Sequence, residues 1–311
     1  MNPTVTASPS SIPGLDDPSV YGPQGRSPWL AVDWREHQRW VILEGQPINV
    51  IELGEGPPLV FVHGLSGSWP NWVEQLPTFA ARHRVIALDL PGFGHSPMPA
   101  EQISISGYAR LLDRLLGTLE IEAAAVVGNS MGGFVSAELA IVCPQRVERL
   151  VLVSAAGISS FDHRVGTRAV PVLQRVERIL AASTAWAASK SDSVARRPRL
   201  REATLSVVAR HPSRLPAALS AELIRGAGKP GFMQALKANL DYDFRERLPE
   251  IACPTLIVWG DGDRLISVRD ADVFAELIPN SRKVIFKDTG HLVMLERPAA
   301  FNSLLEEFLG E

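Results

Sequence analysis

The chain has 311 residues, 46% of them hydrophobic and 21% charged, the composition of an ordinary globular protein with apolar surface for a sizeable core. A formal net charge of −3 excludes a broadly basic nucleic-acid-binding surface. The one basic cluster, Arg196, Arg197, Arg199 and Arg201, is short, is broken by Pro198, and reads as a solvated loop. No apolar run reaches the roughly 18 residues that a bilayer span needs. The residues after Met1 lack the basic start and apolar stretch of a secretory leader, and Cys143 and Cys253 lie far apart without a C-x-x-C partner. Together these features predict a cytoplasmic protein with free thiols, no nucleic-acid partner and no membrane span.

In chain order, residues 1–33 are rich in Pro, Ser and Gly and bury too little apolar surface to offset ordering entropy, which predicts a mobile or loosely docked arm. From Trp34 the pattern changes. Trp40-Val41-Ile42-Leu43 and Ile48-Asn49-Val50-Ile51 flank Glu44-Gly45-Gln46-Pro47, the pattern of a β-hairpin. Leu59-Val60-Phe61-Val62 is wholly apolar, as in a strand buried on both faces, and such runs recur at 85–88, 124–127, 150–153 and 255–258. Segments of helical spacing, such as Leu111, Leu112, Leu115, Leu116 and Leu119, lie between most of them. Alternating buried strands and amphipathic helices specify an α/β fold, a mostly parallel central sheet with helices on both faces.

The alternation stops between Gly157 and Pro249. Val172, Val176, Ile179 and Leu180, then Leu205 and Val208, then Phe232, Leu236 and Leu240 follow helical spacing with no strand between them. An all-helical insertion over 160–247 is expected to form a cap over one edge of a core made of 34–159 and 248–311. Gly226-Ala227-Gly228-Lys229-Pro230-Gly231 has the composition of a joint between rigid pieces.

The strongest chemical signal is Gly128-Asn129-Ser130-Met131-Gly132-Gly133, placed between an apolar strand and a helical segment. A serine at the tip of a sharp strand-to-helix turn projects its hydroxyl into the open, and the turn needs small neighbours, here Gly128 and Gly132. A dinucleotide loop would require G-x-G-x-x-G, and Asn and Ser occupy glycine positions of that pattern. A serine hydroxyl needs a base. Of the seven histidines, His291 in Asp288-Thr289-Gly290-His291 follows the last apolar run, which puts it on a loop at a strand end. No Cys/His cluster has metal-ligand spacing, and no cofactor or metal is expected. An acid to orient the base could come from Trp259-Gly260-Asp261-Gly262-Asp263, with Asp263 favoured over Asp261. The loop after Val153 contains no carboxylate. An oxyanion would be held by the backbone N–H groups of Leu65, in His63-Gly64-Leu65-Ser66-Gly67, and of Met131. His63 itself reads as the anchor of its loop.

These motifs, together with Asp89-Leu90-Pro91-Gly92-Phe93-Gly94-His95-Ser96, resemble the α/β-hydrolase-fold enzymes from Trp34 to Glu311, in the family's order Ser, Asp, His. The resemblance implies a catalytic triad of Ser130, Asp263 and His291 and a structural part for Asp89 and Gly94. A serine at the elbow differs from the aspartate of haloalkane dehalogenases and epoxide hydrolases. The elbow itself resembles that of carbon–carbon bond hydrolases of ring-cleavage products, although Leu65-Ser66-Gly67-Ser68-Trp69 is poorer in glycine than their loop. The expected activity is a serine carboxylesterase cleaving small apolar esters through an acyl-enzyme. The alternatives are carbon–carbon bond hydrolysis and a low-turnover binding protein on the same fold.

Overall fold

A computed structural model describes residue 17, residues 20–158 and residues 189–310. Its centre is an eight-stranded sheet of β1 (Gln38–Leu43), β2 (Gln46–Leu53), β3 (Pro58–Val62), β4 (Arg84–Leu88), β5 (Ala124–Asn129), β6 (Val147–Val153), β7 (Thr255–Gly260) and β8 (Ser281–Phe286). The strand order is β1-β2-β4-β3-β5-β6-β7-β8. The β1–β2 and β2–β4 pairs are antiparallel, and every other neighbouring pair is parallel. The hairpin turn is tighter than the sequence suggests: Leu43 pairs with Gln46, leaving only Glu44 and Gly45, both at positive φ, as the turn.

The uninterrupted apolar runs are explained by the two layers they feed. Successive side chains on a strand point to opposite faces. Val60, Val62, Ile86, Leu88, Val126, Leu150 and Leu152 pack on one face with the helices Ile105–Thr118 and Met131–Val142. Leu59, Phe61, Val85, Ala87, Val127, Val151 and Val153 pack on the other, with Trp72 and the helix Pro298–Gly310. Each buried Leu, Val or Phe contributes about 1.5–3 kcal/mol. The helix Ile105–Thr118 starts where the Ser104 side chain accepts the Gly107 N–H at 3.1 Å. It ends at Glu120 (φ +56), with the Ile121 N–H reaching back to the Leu116 carbonyl at 2.9 Å.

The described part of the insertion is helical: Ser191–Ala195, Pro198–Leu205, Ala217–Arg225 and Phe232–Asp241. Val194, Ala195, Leu205, Ala221 and Ile224 form a small core of its own. The expected helix through Val172, Val176, Ile179 and Leu180 lies outside the described residues. The glycine-rich joint is pinned at its far end, where the Gly231 N–H donates to the Gly92 carbonyl at 3.0 Å. The last part of the expected arm packs on the core: Tyr21 and Trp29 are buried, and Ser27 Oγ and Trp29 Nε1 both donate to Glu74, at 2.7 and 2.8 Å. Cys143 and Cys253 are free thiols. Among the described residues no helix is long and apolar enough to cross a membrane.

Candidate active site

Because β3 to β8 run parallel, their carboxyl ends open at one edge, and the loops bearing Leu65, Ser130, Asp263 and His291 all leave from that edge. Ser130 occupies the single residue between β5 and the helix Met131–Val142 with φ +55 and ψ −121, a backbone conformation that costs a non-glycine residue energy. Its N–H donates to the Val153 carbonyl at 2.9 Å, and its carbonyl accepts from Ala156 at 3.0 Å. The turn closes only because its flanks are glycine. A Cβ on Gly128 would stand 2.3 Å from the Gly132 carbonyl oxygen, and one on Gly132 would stand 2.2 Å from that of Val62.

Met131 is the first residue of its helix, so its N–H has no carbonyl in a preceding turn to bond. The loop bearing Leu65 comes close to the serine: a Cβ on Gly64 would lie 2.9 Å from Ser130 Cβ. His63 fixes that loop. Its Nδ1 donates to the Gly64 carbonyl at 2.8 Å and its Nε2 accepts the Leu90 N–H at 3.0 Å. Complete burial pushes its pKa down, against the opposing pull of Asp89, so the ring is neutral and holds one defined tautomer. Asp89 ties neighbouring loops, accepting from Asn49 Nδ2, His95 N and Trp69 N, each at 2.8 Å.

Of the two candidate acids, the structure puts Asp263 on the histidine. His291 Nδ1 lies 2.8 Å from Asp263 Oδ2, with the His291 side chain 3% and the Asp263 side chain 0% exposed. Asp263 Oδ1 accepts the N–H groups of Leu265 and Ile266 at 2.8 and 3.0 Å, which fixes the plane of the carboxylate. Asp261 is exposed to solvent. The serine and histidine loops are joined by Asn129, whose Nδ2 donates to the Val153 carbonyl at 3.0 Å and to the His291 carbonyl at 3.4 Å.

Two further groups at this edge escaped sequence reasoning. Glu296 is fully buried and accepts from the N–H groups of Gly290 and Leu292 at 2.9 and 3.0 Å, on either side of His291. Burial raises its pKa, opposed by these bonds. Val208, in the insertion, accepts the His291 and Leu292 N–H groups at 3.1 and 3.2 Å. The only local signal was a lone carboxylate closing the apolar run Leu292-Val293-Met294-Leu295. Among the described residues no group of three or more His, Cys, Asp or Glu side chains could hold a metal. A cavity of about 370 Å³ between Gln102–Ser106 and Lys237–Tyr242 touches none of these residues.

Known proteins extend this picture. The chain is 30% identical over 288 residues to a 2-hydroxymuconate semialdehyde hydrolase of Pseudomonas sp. (strain CF600), covering 88% of this chain and 94% of that one. It is 31% identical over 287 residues to a 2-hydroxy-6-oxo-2,4-heptadienoate hydrolase of Pseudomonas putida, covering 87% and 95%. The crystal structure of a membrane phospholipase A superposes with a TM-score of 0.70 at 26% identity, over 91% of this chain and 90% of that one. Residues 57–298 match the family described as alpha/beta hydrolase fold, a span that runs from β3 through the serine turn to the loop of His291. With that match over most of its length and the strand order that accompanies it, the chain belongs to the α/β-hydrolase family.

Proposed function

We propose that this protein is a serine hydrolase that cleaves the carbon–carbon bond beside a ketone in a ring-cleavage product. The observation that carries the acyl-transfer chemistry is the Asp263–His291 hydrogen bond of 2.8 Å at the edge where the tight turn places Ser130. Ser130 Oγ adds to the carbonyl as His291 takes its proton. The N–H groups of Leu65 and Met131 hold the resulting oxyanion. The carbon leaving group departs with the proton from His291, and Ser130 is left acylated. His291 then deprotonates a water that attacks this acyl-enzyme, releasing a carboxylic acid and the free serine. The helical insertion acts as the cap over this edge, a role supported by the bonds of Val208 to the histidine loop.

The choice of substrate rests on the two relatives at 30% and 31% identity, both hydrolases of dienoate or semialdehyde compounds. This reverses the ranking drawn from the sequence, where ester cleavage stood first. Ester hydrolysis is the second reading, favoured by the likeness to a phospholipase A and sharing every catalytic group. A panel of 2-hydroxy-6-oxo-dienoates run beside p-nitrophenyl esters of increasing chain length tests the choice. Higher kcat/KM on the dienoates supports the first reading; turnover of esters alone overturns it in favour of the second. Failure of a fluorophosphonate to label Ser130 removes both and leaves a binding protein.

A further inference from the structure

Glu296 ends the short helix Val293–Glu296 and is 0% exposed, yet no step above uses it. Its carboxylate collects four donors from three parts of the chain. Tyr21 Oη, from the N-terminal segment, donates at 2.7 Å. The Arg210 N–H, just beyond the insertion helix Pro198–Leu205, donates at 2.8 Å. The Gly290 and Leu292 N–H groups complete the set. Tyr21 Oη in turn accepts the His211 N–H at 2.9 Å, so the N-terminal segment and the insertion meet at one buried anion.

The residue between those two loop donors is His291. Its own N–H goes to Val208, and its carbonyl accepts from Asn129. Gly290 is packed so closely that a Cβ there would lie 2.7 Å from the Arg210 nitrogen and 2.9 Å from Glu296 Oε1. The backbone of the proposed base is thus clamped on both sides, leaving the imidazole only its side-chain torsions to settle against Asp263.

We propose that Glu296 is a positioning residue for His291, and that through Tyr21 and Arg210 it makes the placement of the base depend on the docked N-terminal segment and on the insertion. This rests on the reading of His291 as the catalytic base. An amide cannot replace the carboxylate: whichever way Gln is turned, its NH2 faces at least one N–H or O–H that needs an acceptor. Displacing a catalytic group by about 1 Å costs on the order of 10²-fold in rate.

Glu296→Gln in the full-length protein is therefore expected to lower kcat for a small ester or dienoate by about 10²-fold, with KM nearly unchanged. The rate of fluorophosphonate labelling of Ser130 should fall in parallel, and the downfield proton resonance of His291 Nδ1–H, shared with Asp263, should broaden or vanish. Tyr21→Phe, which keeps the ring and removes one donor, should act in the same direction by about fivefold and serves where Glu296→Gln does not fold. If either folded variant melts earlier but keeps the wild-type resonance, labelling rate and kcat well below its melting temperature, Glu296 only stabilises the fold and the proposal is overturned. Lack of labelling in the wild type would instead strike at the acyl-serine reading, and the resonance would still decide the part played by Glu296.

Discussion

Ser130 and His291 stand on loops at the same edge of the sheet, and the two loops are kept in place by different kinds of contact. The serine turn is held by backbone against backbone: Gly128 against Gly132, Gly132 against the end of β3, and a strained φ of +55 between them. The histidine loop is held by hydrogen bonds, from nearby Glu296 and from groups farther along the chain, Asp263, Asn129 and the Val208 carbonyl. A turn closed by such contacts tolerates no added atom at its glycines. A loop fixed by hydrogen bonds can be loosened in steps, one donor at a time.

The comparison can be broken most severely at the serine itself. Ser130→Ala should lower kcat on the order of 10⁶-fold while leaving the melting temperature at its wild-type value, since removing the proposed nucleophile disables the whole proposed triad; retention of a tenth of the activity removes Ser130 from the mechanism. On the histidine side, Asp263→Asn should cost about 10⁴-fold in kcat by favouring the wrong imidazole tautomer. Asp261→Asn, at an exposed position, should stay within about twofold. Kinetics of the two amides side by side distinguish them, and reversed losses would move the acid to Asp261.

Gly132→Ala tests the steric half. With the new Cβ 2.2 Å from a main-chain oxygen, β3 or the helix must shift, and chemical denaturation should show a loss of about 3 kcal/mol. An alanine variant of full stability would mean that the turn is not closed by this contact.

The smallest effect is a dependence on pH. His63 is held neutral, with its folded pKa below its unfolded value of about 6.5. Below that unfolded value the unfolded chain binds the extra proton, so the contribution of His63 to stability is complete above about pH 6.5 and is lost as pH falls toward the folded pKa, by at most about 1.4 kcal/mol per pH unit. His63→Gln should flatten the fall in melting temperature between pH 7 and pH 5 relative to wild type. Parallel curves would show that His63 takes no part in the acid sensitivity.

Much of this was written in local sequence. The apolar runs at 59–62, 85–88, 124–127, 150–153 and 255–258 read as strands covered on both faces, and the helical spacings between them supplied the cover. The serine turn was legible because one of the contacts that close it, Gly128 against Gly132, lies within four positions, and a missing Cβ is visible as a glycine. The candidate acid was narrowed to two neighbours with Asp263 favoured, because Asp261 and Asp263 share one loop. Only the path of the chain after Gly260 decides that the first faces solvent and the second His291.

What tertiary structure alone decided is the support that His291, the proposed base, receives from Tyr21 and Arg210 through Glu296. Tyr21 lies 275 residues from the carboxylate it bonds, and Arg210 lies 86 residues from it. Tyr21 sits in a stretch whose Pro, Ser and Gly content predicted a mobile or loosely docked arm without saying where it would dock, because composition measures how much a segment can bury by itself and not what surface awaits it. A hydrogen bond needs only one donor and one acceptor within about 3 Å, so it leaves no periodicity in the sequence and comes into being only when the fold brings its two ends together.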